Sequence, residues 1–111
     1  MQFGLNRLDM TSVEAFAKSA ARAESLGWHY GLIPSSPLLA LDPYVMLADA
    51  LRATRTLRMG PLIENPVMRS AAVLAGSTAT IAGLAPGRVM LGMGAGDTAV
   101  RLMGKRPARI A

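Results

Sequence analysis

Hydrophobic and polar positions along the chain follow two alternating periods. Four short β-prone runs, Gln2–Leu8, His29–Pro34, Leu57–Ile63 and Arg88–Met93, start about 27–31 residues apart, the length of one strand-plus-helix unit. A helical pattern fills each gap. In the first gap, Val13, Phe16, Ala17, Ala20 and Ala23 share one face, while Glu14, Lys18 and Arg22 share the other. Thr11-x-x-Glu14 reads as a capping box ahead of it, and Gly27 stands where a C-terminal cap belongs. The second helix opens with Asp42-Pro43, an N-cap followed by proline at the first helical position. Tyr44, Leu47, Ala48 and Leu51 then repeat at helical spacing, with Asp49, Arg52 and Arg55 facing away. The third helix is predicted over Val67–Gly83. It has no charge after Arg69, so it is expected to be covered. Pro86-Gly87 ends it, and a fourth helix is predicted to start at Asp97.

Strands alternating with helices imply right-handed crossovers and a parallel sheet. Both a doubly wound open sheet and a (β/α)8 barrel satisfy this pattern. A barrel of eight such units needs about 250 residues, and the 111 residues here hold fewer than half of them.

Composition narrows the chemistry. Hydrophobic residues make up 51% of the chain, enough for a packed core. The net charge of +5 is uneven: residues 1–100 carry 8 basic and 7 acidic groups, whereas residues 101–111 carry Arg101, Lys105, Arg106 and Arg109 against no acid. A basic tail is not the basic stripe of a nucleic-acid binder, so no nucleic-acid partner is expected. These four cations are predicted to share one face of the last helix. With no cysteine and one histidine, His29, disulfides, thiol nucleophiles and multi-histidine metal centres are excluded within this chain. His29, at the start of the second strand, is expected to be structural, and Met46, Met59, Met68, Met90 and Met93 are expected to fill core gaps. No apolar stretch reads as a signal peptide or membrane span. A cytoplasmic protein without a membrane partner is the expectation.

Three loops after strands carry candidate chemistry. Gly92-Met-Gly94-Ala-Gly96-Asp97 is a glycine-rich strand-to-helix turn that lets a backbone approach a ligand, or a tight turn with Asp97 as N-cap. It departs from the dinucleotide fingerprint, which requires glycine where Asp97 stands. Glu64-Asn65-Pro66 offers a lone acid, for a base or a substrate contact, or solvated as most such acids are. Ser35-Ser36-Pro37 offers two hydroxyls, for a ligand or for turn chemistry.

Five segments together resemble the luciferase-like monooxygenase family of flavin- and deazaflavin-dependent oxidoreductases. They are FGLNRL, AARAESLGW, SPLLALDPYVMLADALRATRTLRMGP, NPVMRSAAVLAGSTATIAGLAPGR and LGMGAGDTAVRLMGKRPA. The branch that includes methylenetetrahydromethanopterin reductase is the most similar. The resemblance runs end to end and implies an α/β fold: part of a TIM-type barrel, strands one to four with helices one to three, in a truncated single domain. It implies an oxidoreductase transferring a hydride, or oxygenating a small organic substrate, with coenzyme F420 or alternatively FMN. It further implies a strand-three bulge with a non-prolyl cis peptide at Leu62, Ile63, Glu64 and Asn65, backing the coenzyme ring. Ala95 and Gly96 would face the coenzyme and Asp97 would be catalytic, with Ser35 and Ser36 on the substrate side. Ser35 replaces a common Asp, Glu64 a common Thr, and Ser70 a His that often follows Arg69. Two other readings accompany this one: a small nucleotide-binding α/β domain using the Gly92–Asp97 turn, and a non-catalytic fragment held together as a homo-oligomer.

Overall fold

Apolar residues at helical spacing put the three longer helices on one face of a parallel sheet. A computed structural model describes residues 1–109. In chain order it comprises β1 (Gly4–Leu5), α1 (Val13–Ser25), β2 (Tyr30–Ile33), α2 (Pro43–Ala53), β3 (Arg58–Pro61), α3 (Ala71–Leu84) and α4 (Thr98–Leu102). The sheet order is β1-β2-β3, all parallel, with Gly4 opposite Tyr30 and Tyr30 opposite Arg58. Phe16 and Ala20 of α1, Met46, Leu47 and Leu51 of α2, and Leu74 and Ile81 of α3 pack with Ile33, Leu57 and Met59 in one core. Burying a side chain of that size contributes about 1.5–3 kcal/mol.

The fourth predicted strand is realised only in part. Its residues pair with the β3 segment through two isolated parallel bridges, Met59 with Val89 and Glu64 with Met93. Between those bridges four residues, Gly60 to Ile63, lie opposite three, Met90 to Gly92. That surplus of one residue is a β-bulge, and it interrupts the ladder. The Leu62–Ile63 peptide within it is cis. The first strand is also shorter than predicted, because β1 pairs with β2 over two residues only.

Local chemistry corrects several boundaries. Ser12, not Thr11, caps α1: its Oγ accepts the Ala15 amide at 3.0 Å. Thr11 instead donates to Asp9, and Glu14 pairs with Lys18 at 2.7 Å rather than closing a capping box. Asp42 caps α2 as expected, accepting from Tyr44 and Val45, with Pro43 at the start. Gly27 follows α1 at φ +84°, the left-handed conformation that glycine tolerates. The third helix starts at Ala71, four residues late, because Asn65 Oδ1 accepts the Val67 and Met68 amides and holds that stretch in a turn.

Nor is α3 covered as its lack of charge suggested. Only Leu74 and Ile81 are buried within it. Met46 and Met59 fill the core, but Met90 and Met93 lie exposed and Met68 is half-buried beside a cavity. The last helix ends at Leu102, so Lys105, Arg106 and Arg109 lie beyond it and share no helical face with Arg101. Among the described residues, no helix is long and apolar enough to cross a membrane.

Candidate functional site

The two ends of β3 differ in how their charges are satisfied. At the amino end, Glu24 reaches from the last turn of α1 to the loop before β3. Its carboxylate accepts the backbone amides of Arg55, Thr56 and Leu57, the latter two at 2.7 Å, and the Thr56 hydroxyl at 3.0 Å. Burial works to raise its pKa, but these donors outweigh it and hold the group near 2, below the ordinary 4.5. Arg88 enters at the same end. It donates to Thr54 Oγ1 and to the carbonyls of Leu51 and Leu57, placing a cation at the carbonyl terminus of α2. His29 belongs here too, its Nδ1 accepting the Phe3 amide at 3.2 Å. That contact agrees with a structural role.

The carboxyl end holds the candidate residues. Ser35 and Ser36 follow β2, Leu62–Asn65 follow β3, and Gly96 and Asp97 follow the fourth run. Ser35, Ser36, Leu62, Ile63, Asn65, Gly96 and Asp97 line one cleft of about 230 Å³. Leu62 and Ile63 are apolar and exposed there. Ser35 is buried, and the Ser36 carbonyl accepts the Leu39 and Ala40 amides in a turn. Asp97 sits at the N-cap position of α4, but its carboxylate makes no capping bond and instead pairs with Arg101 one turn on. Ala95 lines no part of this cleft; its carbonyl accepts the Ala108 amide at 3.1 Å.

The glycine-rich turn corrects another expectation. A Cβ on Gly92 would lie 2.9 Å from the Pro61 carbonyl oxygen, and one on Gly96 would lie 2.8 Å from Asn65 Cγ. These glycines bring the chain close against the β3 bulge. The nucleotide-binding reading loses its main support, since the close approach is already taken by protein.

Glu64 overturns the expectation of a solvated acid. It is 1% exposed, and neither carboxylate oxygen has a hydrogen-bond partner among the described residues. It lines a second cavity of about 500 Å³, between the loops after β2 and β3, together with Ser35, Asp42, Met68, Arg69 and Ser70. Arg69 Nε lies 3.8 Å from Glu64 Oε1, too far for a hydrogen bond. The Arg69 guanidinium is committed elsewhere: to Asp42 Oδ2 at 2.7 Å, to Ser77 Oγ at 3.5 Å, and over the Tyr44 ring, 4.7 Å from its centroid. Burial works to raise the Asp42 pKa, but the Arg69 guanidinium and the Val45 and Tyr44 amides hold it below its ordinary value. Burial raises that of Tyr44, although its hydroxyl lies 3.3 Å from Thr78 Oγ1. Asp42 and Arg69 are site residues that sequence reasoning passed over. The available signal was Arg69 standing five residues after Glu64 in an otherwise uncharged loop.

The chain is similar to known proteins over most of its length. The family model described as luciferase-like monooxygenase matches residues 2–110. Over 54 residues the chain is 43% identical to the 5,10-methylenetetrahydromethanopterin reductase of Archaeoglobus fulgidus, covering 49% of this chain and 16% of that protein. The solved coenzyme F420 dependent tetrahydromethanopterin reductase of Methanopyrus kandleri superposes with a TM-score of 0.85 at 29% identity, covering 93% of this chain and 30% of that one. The oxygenating constituent of 3,6-diketocamphane monooxygenase from Pseudomonas putida, solved with FMN, gives 0.77 at 25% identity, covering 96% and 33%. The chain thus spans about a third of the length of these solved relatives.

Proposed function

The chain belongs to the luciferase-like monooxygenase family, and from that premise we propose that it is the opening arc of a (β/α)8 barrel that holds a redox coenzyme at the carboxyl ends of its strands. The arc comprises three strands, the bridged fourth run and the helices α1 to α3. The sheet supports this reading. Its helix-covered face carries Ile33 and Met59, with Val89 opposite Met59, whereas Met90, which alternation turns to the other face beside Gly60, is exposed. Parallel sheets are ordinarily covered on both faces, so the exposed side matches a barrel interior. By itself such an arc leaves apolar surface that favours a homo-oligomer.

The coenzyme is coenzyme F420 in this reading, following the reductase relatives, with FMN as the alternative following the camphane monooxygenase. The single observation carrying it is the bulge: it presents Leu62 and Ile63 as an exposed apolar wall, flanked by Ser35, Ser36 and Asp97. A cleft of about 230 Å³ falls below the roughly 300–1,000 Å³ of small-molecule pockets, so these residues supply one wall of the site. The wall fits a flat ring, which it would contact while excluding water. When bound, the coenzyme supplies hydride chemistry or oxygen activation.

The other roles follow from position. Asn65 Oδ1 is held by the Val67 and Met68 amides, which leaves Nδ2 to donate to the ring edge. Gly96, at φ +73° against Asn65, sets the turn that brings Asp97 to the cleft, with Ala95 holding that turn from behind. Ser35 and Ser36 offer hydroxyls to a small organic substrate. Asp97 would hold or move a proton at its carboxylate, with Arg101 orienting it.

Equilibrium dialysis against F420, FMN and an adenosyl cofactor tests the coenzyme assignment. F420 or FMN retained over the adenosyl compound is expected; preferential retention of the adenosyl compound would sink it. In a catalytically competent protein carrying these residues, Asp97→Asn is expected to lower turnover at least about 100-fold, the low end of general acid–base contributions. Unchanged steady-state kinetics would remove Asp97 from the proton path.

A further inference from the structure

A buried carboxylate with both oxygens unpartnered is rare, because an unmade hydrogen bond to a desolvated charge costs more than a made one gains. Among the described residues Glu64 is such a group, and it lies in the lining of the cavity of about 500 Å³. The nearest cation does not hydrogen-bond it: Arg69 donates one Nη hydrogen to Asp42 and one to Ser77, and its Nε stays 3.8 Å away. Two carboxylates against one guanidinium leave this pocket one negative charge in excess. Its size lies within the small-molecule range, and Ser35 and Ser70 place hydroxyls on its lining.

We propose that this cavity is a binding pocket for the amidinium or guanidinium group of a small molecule, held by Glu64. Two unfilled carboxylate oxygens accept two parallel N–H donors from one planar cation, the geometry that carboxylates and guanidinium groups share. The ligand's positive charge offsets the excess on Glu64 and Asp42. Met68 and Leu38 supply apolar surface for the body of the molecule. The pocket meets the coenzyme cleft only at Ser35, and the inference stands or falls separately from the coenzyme reading.

Benzamidine is the probe, with neutral benzamide of the same shape as its control, titrated into the chain and followed through the backbone amides of Ser35, Glu64 and Ser70. Saturable shifts with benzamidine are expected, at least tenfold weaker with benzamide. Glu64→Gln should abolish that preference. No benzamidine shift, or equal binding of the two, overturns the proposal. So do shifts driven by protein concentration alone, which would mean that an arginine of a second copy fills the pocket. The benzamide comparison uses the unaltered chain and therefore decides even where Glu64→Gln fails to fold. Coenzyme binding is read instead at Leu62, Ile63 and Gly96, so a failure there leaves this result unmoved.

Discussion

Glu24 and Glu64 are carboxylates placed at opposite ends of one strand, and the protein treats them in opposite ways. Glu24 gathers three backbone amides and a hydroxyl, ties α1 to the start of β3, and is held near pKa 2. Glu64 is more deeply buried and gathers no hydrogen bond among the described residues, with Arg69 Nε 3.8 Å away. In a parallel α/β fold the amino ends of the strands carry stability and the carboxyl ends carry function. The pair shows what that division means physically. A charge kept for stability is surrounded by donors from its own chain, and a charge kept for a ligand is left with its acceptors open. The positive partners follow the same rule. Arg88 makes three hydrogen bonds into the end of α2 and its loop, whereas Arg69 is divided among Asp42, Ser77 and the Tyr44 ring and stops short of Glu64.

Gly60 lies between the two ends, and altering it should damage both. A Cβ there would sit 1.8 Å from the Met90 carbonyl oxygen, so Gly60→Ala is expected to cost about 3 kcal/mol, the upper part of the overpacking range. Urea denaturation measures it; a loss under 1 kcal/mol would mean that the fourth run is not held against β3.

Glu24→Ala is expected to cost roughly 2 kcal/mol, as for hydrogen bonds to a charged group, with solvent contact keeping the loss below what the pKa displacement alone implies. Because the folded-state pKa is depressed, this contribution is fully present above about pH 4.5 and disappears as pH falls toward 2. Wild type and Glu24→Ala should therefore converge in urea midpoint at low pH. A gap that stays constant across that window contradicts the assignment.

At the other end, Asp42→Ala removes the cap of α2 and the best partner of Arg69 together. A loss of about 1 kcal/mol is expected, the usual value of an N-cap, detectable as a lowered thermal midpoint. Glu64→Gln gives the smallest effect and the opposite sign. Exchanging an unpartnered buried carboxylate for a neutral amide should stabilise the fold by about 0.5 kcal/mol, since a buried charge costs more than a buried amide. Clear destabilisation by this substitution would place Glu64 among the structural acids and erase the contrast with Glu24.

Much of this architecture was legible beforehand. The spacing of apolar residues located α1, α2 and the cores of β2 and β3, because helix and strand periods are local properties of the chain. Asp42-Pro43 and Gly27 marked their boundaries for the same reason: a cap acts within one turn. Five segments carried the family resemblance, and with it the bulge at Leu62 and Ile63. The cap at Ser12 rather than Thr11 was missed because adjacent hydroxyls compete, and Asp9 had already engaged Thr11.

What local pattern could not reach was every feature joining distant segments. The Glu24 carboxylate meets residues 31 to 33 positions away, and Arg88 meets residues 31 to 37 positions away. The unfilled state of Glu64 exists only because the folded loops bury it while Arg69 is drawn off toward Asp42 and Ser77. The amino-acid order determined which segments would be helix and strand, which face of each would be apolar, and to which family the chain belongs. Tertiary structure alone decided which acid would be saturated and which left open, because hydrogen-bond satisfaction depends on which donors the packed chain carries to an atom.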